Sequence, residues 1–245
     1  MTEAQLRDLI REILADLLPG ARPAPALPQH ALVLFTGALL GFEEACTSLT
    51  RLRADLPLDW IQTGSARRIL DQPTIEAIGM TPADKSLVAS HDLLIVPTLT
   101  VNMVAKVVHG VGDCLASNVI AEFIMSGKPV VVATNAACPD SAGKREWFPR
   151  MPAGYQAMLR ENLTRLRSFG VHLADASRLD RAVLRQVRGD APAPGAAPVL
   201  DRVVTEATIA GLPDGADVRL APRAIITDLA REAAARRHIT LREGS

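Results

Sequence analysis

The chain has 245 residues, with 27 Lys and Arg set against 27 Asp and Glu, so its formal net charge is zero. That balance lacks the electrostatic footprint of a nucleic-acid binder, and no basic cluster marks attachment to an anionic membrane. A chain of this size buries roughly 70–75% of its unfolded surface and needs no disulfide or metal staple to fold.

Cys46, Cys114 and Cys138 lie far apart and form no C-x-x-C pair. Neither a zinc knuckle nor a disulfide framework is expected, and reduced thiols in a cytoplasmic setting fit best. The longest apolar runs, such as Ala31 to Phe35, are too short to span a bilayer. The amino terminus is amphipathic and carries acids, unlike a secretory signal.

Residues 1–18 read as an amphipathic helix. Leu6, Ile10, Ile13, Leu14 and Leu17 share one face, and Thr2 with Gln5 forms a capping box. Pro19 and Gly20 stop it. Residues 19–30 are a linker with Pro23, Pro25 and Pro28, a composition that favours an extended spacer.

Residues 31–190 alternate strand and helix signals. "ALVLFT" is a buried strand, followed by a helix from about Phe42 to Arg53. "LDWIQ" is a second strand. "DLLIVP" is a third, followed by a long helix after Thr100. "PVVVAT" is a fourth, followed by a helix from about Tyr155 to Ser168, and "VHLAD" is a fifth. Apolar strands between helices predict a parallel sheet covered on both faces. Right-handed crossovers make it a doubly wound, Rossmann-like α/β fold. A second linker, 191–198, precedes a small α+β appendage at 199–245. Its expected strands lie near Val203, near Val218 and at "ITLR", with a helix at Asp228 to Arg237.

Ligands of such sheets bind at the carboxyl ends of the strands. The loops there are Thr36-Gly37-Ala38, Thr63-Gly64-Ser65-Ala66, Pro97 to Asn102, and Thr134-Asn135-Ala136. All are small and polar, and free N–H groups at helix starts suit a phosphate or a flat polar ring. No G-x-G-x-x-G and no P-loop lysine motif is present, so Gly37 and Gly64 are equally compatible with plain tight turns. In the helix after Thr100, the residues Met103, Val104, Val107, Val108, Val111 and Leu115 form one apolar face. Asn102, Lys106, His109 and Asp113 fall on the opposite stripe. Cys138 reads as a small buried hydrophobe, since no basic neighbour would stabilise its thiolate.

The order of these motifs resembles the homo-oligomeric flavin-containing cysteine decarboxylases. Their superfamily includes phosphopantothenoylcysteine decarboxylase, the flavin prenyltransferases and the second dipicolinate synthase subunit. Pro97, Asn102, Lys106, Gly110 and Asp113 fill the family signature. "FTGALLGFEEA", "IQTGSARRIL" and "GKPVVVATN" resemble its successive flavin loops. The resemblance spans roughly residues 31–175.

It implies a bound FMN. Gly37, Ala38 and Ser65 would hold the phosphate end. Thr98, Thr100 and Asn102 would line the isoalloxazine ring, with Asn102 the one candidate for a catalytic role, and Thr134 and Asn135 would complete the pocket. Lys106, His109 and Asp113 would serve helix contacts or a subunit interface in a trimer or a multiple of trimers. The family's catalytic His, several residues before the third strand, has no in-register match, because His91 directly precedes Asp92. The fourth-strand Pro-Ala-Met-Asn motif reads Ala133-Thr134-Asn135-Ala136.

The terminal segments resemble those of bacterial microcompartment cargo, with residues 1–18 as an encapsulation peptide for shell or cargo proteins. Folding of that helix onto its own oligomer is the other reading. The expected function is therefore an FMN-binding redox protein acting on a small molecule or an electron carrier. A decarboxylase of a cysteinyl or related carboxylate and a non-catalytic assembly protein are the alternatives. No metal is expected.

Overall fold

The computed structural model describes residues 28–188, 199–200, 203–210, 212, 217–221, 224–237 and 239–243. The expected helix at 1–18 and both linkers, apart from the end of the first, lie outside them.

Six strands form one parallel sheet. They are β1 (Ala31–Phe35), β2 (Leu58–Gln62), β3 (Thr81–Pro82), β4 (Leu93–Val96), β5 (Val130–Ala133) and β6 (Val171–Ala174), in the order β3-β2-β1-β4-β5-β6. The two-residue edge strand β3 carries no apolar run and was not expected from sequence. Side chains alternate across the pleat. Ala31, Val33 and Phe35 enter a core with α1 (Phe42–Leu52) and α8 (Leu179–Arg188). Leu32 and Leu34 enter a second core on the other face, with α4 (Val101–Val108), α5 (Leu115–Met125) and α7 (Ala153–Ser168). All five residues of β1 are fully buried, which explains its unbroken apolar run. Between these elements lie short helices: α2 (Gly64–Ile69), α3 (Gln72–Ala77) and α6 (Ala142–Trp147).

The single long helix expected after Thr100 is instead two helices. Val108 ends α4, His109 caps it, and Gly110 turns left-handed at φ 68°. Gly110 N–H donates to Val107 C=O and Val111 N–H to Lys106 C=O, at 3.2 and 2.8 Å. This is a Schellman stop, which favours glycine at that position. Val111 and Leu115 are accordingly exposed rather than part of one apolar face. Asp113 lies beyond the helix, yet still meets Lys106 because the chain folds back.

The C-terminal segment contributes β7 (Val199–Leu200), β8 (Val203–Val204), α9 (Glu206–Ala210), β9 (Asp217–Leu220), β10 (Ile225–Ile226), α10 (Asp228–Arg236) and β11 (Thr240–Glu243). The strand order is β11-β9-β7 in one small sheet and β10-β8 in another, with every pairing parallel. Val204, Ile209, Val218, Ala230 and Ile239 form its own apolar core.

Candidate functional site

The order of the main sheet reverses between β1 and β4, and a crevice opens beyond their carboxyl ends, where ligands of such sheets bind. Thr36 follows β1 and Thr98 follows β4. Thr36 N–H donates to Thr98 Oγ1 at 2.9 Å, and the Thr36 hydroxyl donates to the Thr98 carbonyl. Both residues are buried. Thr98 therefore braces the floor of the crevice, with its hydroxyl already engaged by the backbone of Thr36.

Above this floor is a cavity of about 320 Å³. Gly37, Ala38, Thr100 and Asn102 line it, together with Ile69, Ala136, Lys144, Trp147 and Phe148. Thr100 caps α4, its hydroxyl accepting from Met103 N–H at 3.1 Å. That bond fixes the first turn, so Asn102 stands at the second helical position, facing the cavity mouth. Thr63 caps α2 in the same way, accepting from Ala66 N–H at 3.1 Å, which sets Ser65 at the start of a helix. A Cβ on Gly37 would lie 3.0 Å from Ser65 Cβ and 3.1 Å from Ile69 Cδ1. A side chain on Gly37 would press on Ser65 and Ile69, so its absence favours this close approach of the β1 loop to α2. Gly64 has no such neighbour.

Two expected site residues face elsewhere. Asn135 donates from Nδ2 to Asp175 Oδ2 at 3.0 Å, and its Oδ1 accepts from Ala176 N–H at 2.8 Å. Thr134 donates to the Ala174 carbonyl and lines a separate cleft of about 460 Å³ beside β6 and the C-terminal segment. From the fourth-strand loop, Ala136 is the residue that reaches the cavity wall.

The wall that sequence reasoning missed is α6 and the residue after it. Trp147 and Phe148 are about half exposed, as is Leu39 opposite, giving the cavity an apolar, solvent-facing rim. Both are also shared with a neighbouring cavity of about 530 Å³ that extends to Tyr155. The only signal in the sequence was the adjacent Trp-Phe pair in a polar stretch. Among the described residues, Lys144 is the one titratable residue lining the smaller cavity. Its ammonium lies 5.1 Å from the Phe148 ring centroid, and burial pushes its pKa below the usual lysine value.

The remaining candidates make contacts away from the cavity or are wholly or partly buried. Lys106 Nζ donates to both oxygens of Asp113, at 2.7 and 2.9 Å, on an exposed surface. His109 Nδ1 lies 2.8 Å from the Ala105 carbonyl. Burial raises the pKa of the Cys138 thiol, and burial followed by the nearby Asp71 and Glu43 charges raises that of Cys46 to about 12. Both shifts oppose thiolate formation.

A doubly wound parallel sheet with a cavity at its switch point defines a Rossmann-like ligand-binding α/β protein. The family model described as Flavoprotein matches residues 43–208, and the chain belongs to that family. Among solved structures, the apo form of DmrB from Burkholderia xenovorans, described as a cubic protein cage for redox transfer, is 19% identical. It covers 68% of this chain and 98% of its own, with a TM-score of 0.50. The FMN-dependent cysteine decarboxylase SpaF is 20% identical, covering 64% and 97%, with a TM-score of 0.46. A dodecameric FMN-dependent UbiX-like decarboxylase from Escherichia coli O157:H7 is 13% identical, covering 65% and 93%, also at 0.46. These likenesses concern the fold. No curated protein sequence matches the chain. Among the described residues, no helix is long and apolar enough to cross a membrane.

Proposed function

We propose that this protein binds FMN in the switch-point cavity and acts as a redox flavoprotein, exchanging electrons with a small molecule or a partner electron carrier. The observation that carries the reading is the composition of that cavity. It joins polar helix starts at Thr100 and Asn102 to an apolar, aromatic rim at Ile69, Trp147 and Phe148. A flat ring with polar edges matches such a lining, and the turn at Gly37 lies beside the start of the helix that carries Ser65, where free N–H groups suit a phosphate.

Bound FMN would supply the electron chemistry, and the protein would orient it and tune its electronics. Asn102 offers an amide donor and acceptor to the ring edge. Lys144 offers one positive charge beneath Phe148 to whichever part of the cofactor carries negative charge. Trp147 and Phe148 would pack against one face of the ring. Gly37, Ala38 and Ser65 would hold the phosphate end. The proposed roles of Thr98, Thr134 and Asn135 shift with their hydrogen bonds: they shape the loops around the cavity.

Electron transfer is favoured over decarboxylation because Lys144 is the cavity's sole titratable lining residue among those described. His91 stands at the other end of β4, engaged with Asp59. A homo-oligomer built of trimers, with the exposed Trp147 and Phe148 rim near the subunit contact, completes the proposal. Residues 1–18 would address the protein to a bacterial microcompartment.

Purified protein reconstituted with FMN tests the central claim. Flavin absorbance that survives desalting, with quenched fluorescence, is expected. Asn102→Ala should weaken binding and alter the spectrum without changing the melting of the flavin-free protein. Absence of retained flavin in the wild type would overturn the reading. Deleting residues 1–18 should leave flavin binding intact and abolish co-purification with shell. Collapse of the oligomer would instead make that helix structural.

A further inference from the structure

We propose that His30, Asp59 and His91 form a binding site for one divalent transition-metal ion of the zinc class, at the end of the sheet opposite the cavity. His30 immediately precedes β1, Asp59 is the second residue of β2, and His91 stands two residues before β4. The strand order brings the amino ends of these three neighbouring strands together, although His30 and His91 are sixty-one positions apart.

The donor atoms lie close together. His30 Nε2 lies 3.3 Å from Asp59 Oδ1, and His91 Nε2 lies 3.2 Å from Asp59 Oδ2. All three donor atoms fall within 4.8 Å of one another. Zinc bonds to imidazole nitrogen and carboxylate oxygen are about 2.0–2.2 Å long, so the edge of a tetrahedral site is about 3.3 Å. Each histidine lies at about that edge length from one of the two Asp59 oxygens, so small side-chain rotations bring one nitrogen of each ring and one carboxylate oxygen onto a shared ion.

The hydrogen bonding of His91 points the same way. Its Nδ1 lies 2.8 Å from the Leu87 carbonyl, an acceptor only, so Nδ1 carries a hydrogen. In the neutral ring, Nε2 then aims a lone pair at a carboxylate oxygen, inside a site where His91 is 2% exposed. A cation between nitrogen and oxygen removes the repulsion. A metal-binding histidine commonly donates its other ring N–H to a carbonyl or carboxylate, the arrangement Leu87 provides.

The backbone around the donors is held as well. Asp92 Oδ2 accepts from the N–H groups of Gln29 and His30, each at 3.2 Å. Asp92 N–H donates to the His30 carbonyl at 2.9 Å. Lys128 Nζ donates to the carbonyls of Val88 and His91, at 2.6 and 2.8 Å. The side chains of His30 and Asp59 are 37% and 22% exposed, leaving an entry path and a fourth position for water. Two imidazoles and a carboxylate suit zinc better than calcium or magnesium, which prefer all-oxygen sets.

The test uses the full chain, stripped with chelator, loaded with zinc or cobalt(II) and desalted. One zinc per chain is expected by elemental analysis. The cobalt form should show d–d absorption without a thiolate charge-transfer band, which separates this site from the three cysteines. His30→Ala should weaken zinc binding at least about a hundredfold, more than the loss of an outer partner of a ligand. Asp59→Asn should weaken it as well, a second arm should either variant fold poorly. Far-ultraviolet circular dichroism and flavin content should stay at wild-type values in a folded variant. No zinc retained by the wild type would overturn the proposal and leave a proton-sharing triad. So would wild-type zinc affinity in a folded His30→Ala or Asp59→Asn variant, or a thiolate band.

Discussion

Thr36 and Thr98 close the switch point of the sheet onto itself. The backbone N–H of Thr36 donates to Thr98 Oγ1 at 2.9 Å, and the hydroxyl of Thr36 donates back to the Thr98 carbonyl. Sixty-two residues apart in sequence, they fix the distance between the loops that follow β1 and β4. Thr98→Val keeps the shape but removes the acceptor, stranding a buried N–H. A loss of about 1–3 kcal/mol is expected, measured by urea unfolding of the flavin-free protein. A loss too small to measure would contradict this role of the Thr98 hydroxyl.

Gly41 caps α1 at φ 83°, and a Cβ there would sit 2.7 Å from Asn135 Cβ. Gly41→Ala meets both a left-handed backbone and an overlap. The backbone alone costs about 1–2 kcal/mol, so thermal unfolding should fall by at least that equivalent. Asn135 would be pushed from Asp175 and Ala176, coupling this turn to β6. A neutral substitution would contradict the packing.

Lys144 is the cavity's cation, and burial lowers its pKa. Lys144→Met should weaken FMN binding about tenfold, the loss of one modest charge-assisted contact. The pH dependence follows from the direction of the shift. Because the pKa lies below the usual value of about 10.4, the positive charge, and with it the affinity, is lost earlier on the alkaline side. Titrations of FMN fluorescence against pH should show that decline in the wild type and not in Lys144→Met.

Arg51 Nε donates to Asp180 Oδ2 at 2.7 Å, binding α1 to α8. The Arg51 hydrogen bond holds the Asp180 carboxyl below its usual pKa, against the opposing effect of burial. A group depressed in the folded state stabilises above its unfolded pKa, about 3.9, and that contribution is lost as pH falls through the folded value. Asp180→Asn should therefore cost about 1 kcal/mol at pH 7 and flatten the stability loss below about pH 4. An unchanged acid limb in chemical unfolding would assign the acid sensitivity elsewhere, for instance to the Asp140–Arg160 pair.

The helix break at Gly110 was legible in principle, since Gly110 and Gly112 lower helix propensity, but the apolar spacing on either side outweighed them. Asn135 shows the opposite limit. Its place in the loop after β5 was readable, but the direction of its amide depends on Asp175 and Ala176 across the sheet. Nothing local to Asn135 encodes those partners.

What the sequence determined by itself is the alternation of strands and helices and the loops where a ligand would meet them. Burial and turns leave a local pattern in the chain: five apolar residues in β1 and small polar residues in the loops after the first four expected strands. What only the tertiary structure decided is which side chains converge. Strand order set Thr98 beneath the cavity rather than in it, brought Trp147 and Phe148 to its rim, and gathered His30, Asp59 and His91 at the opposite end. Convergence depends on contacts between segments distant in sequence, and spacing along the chain carries no record of them.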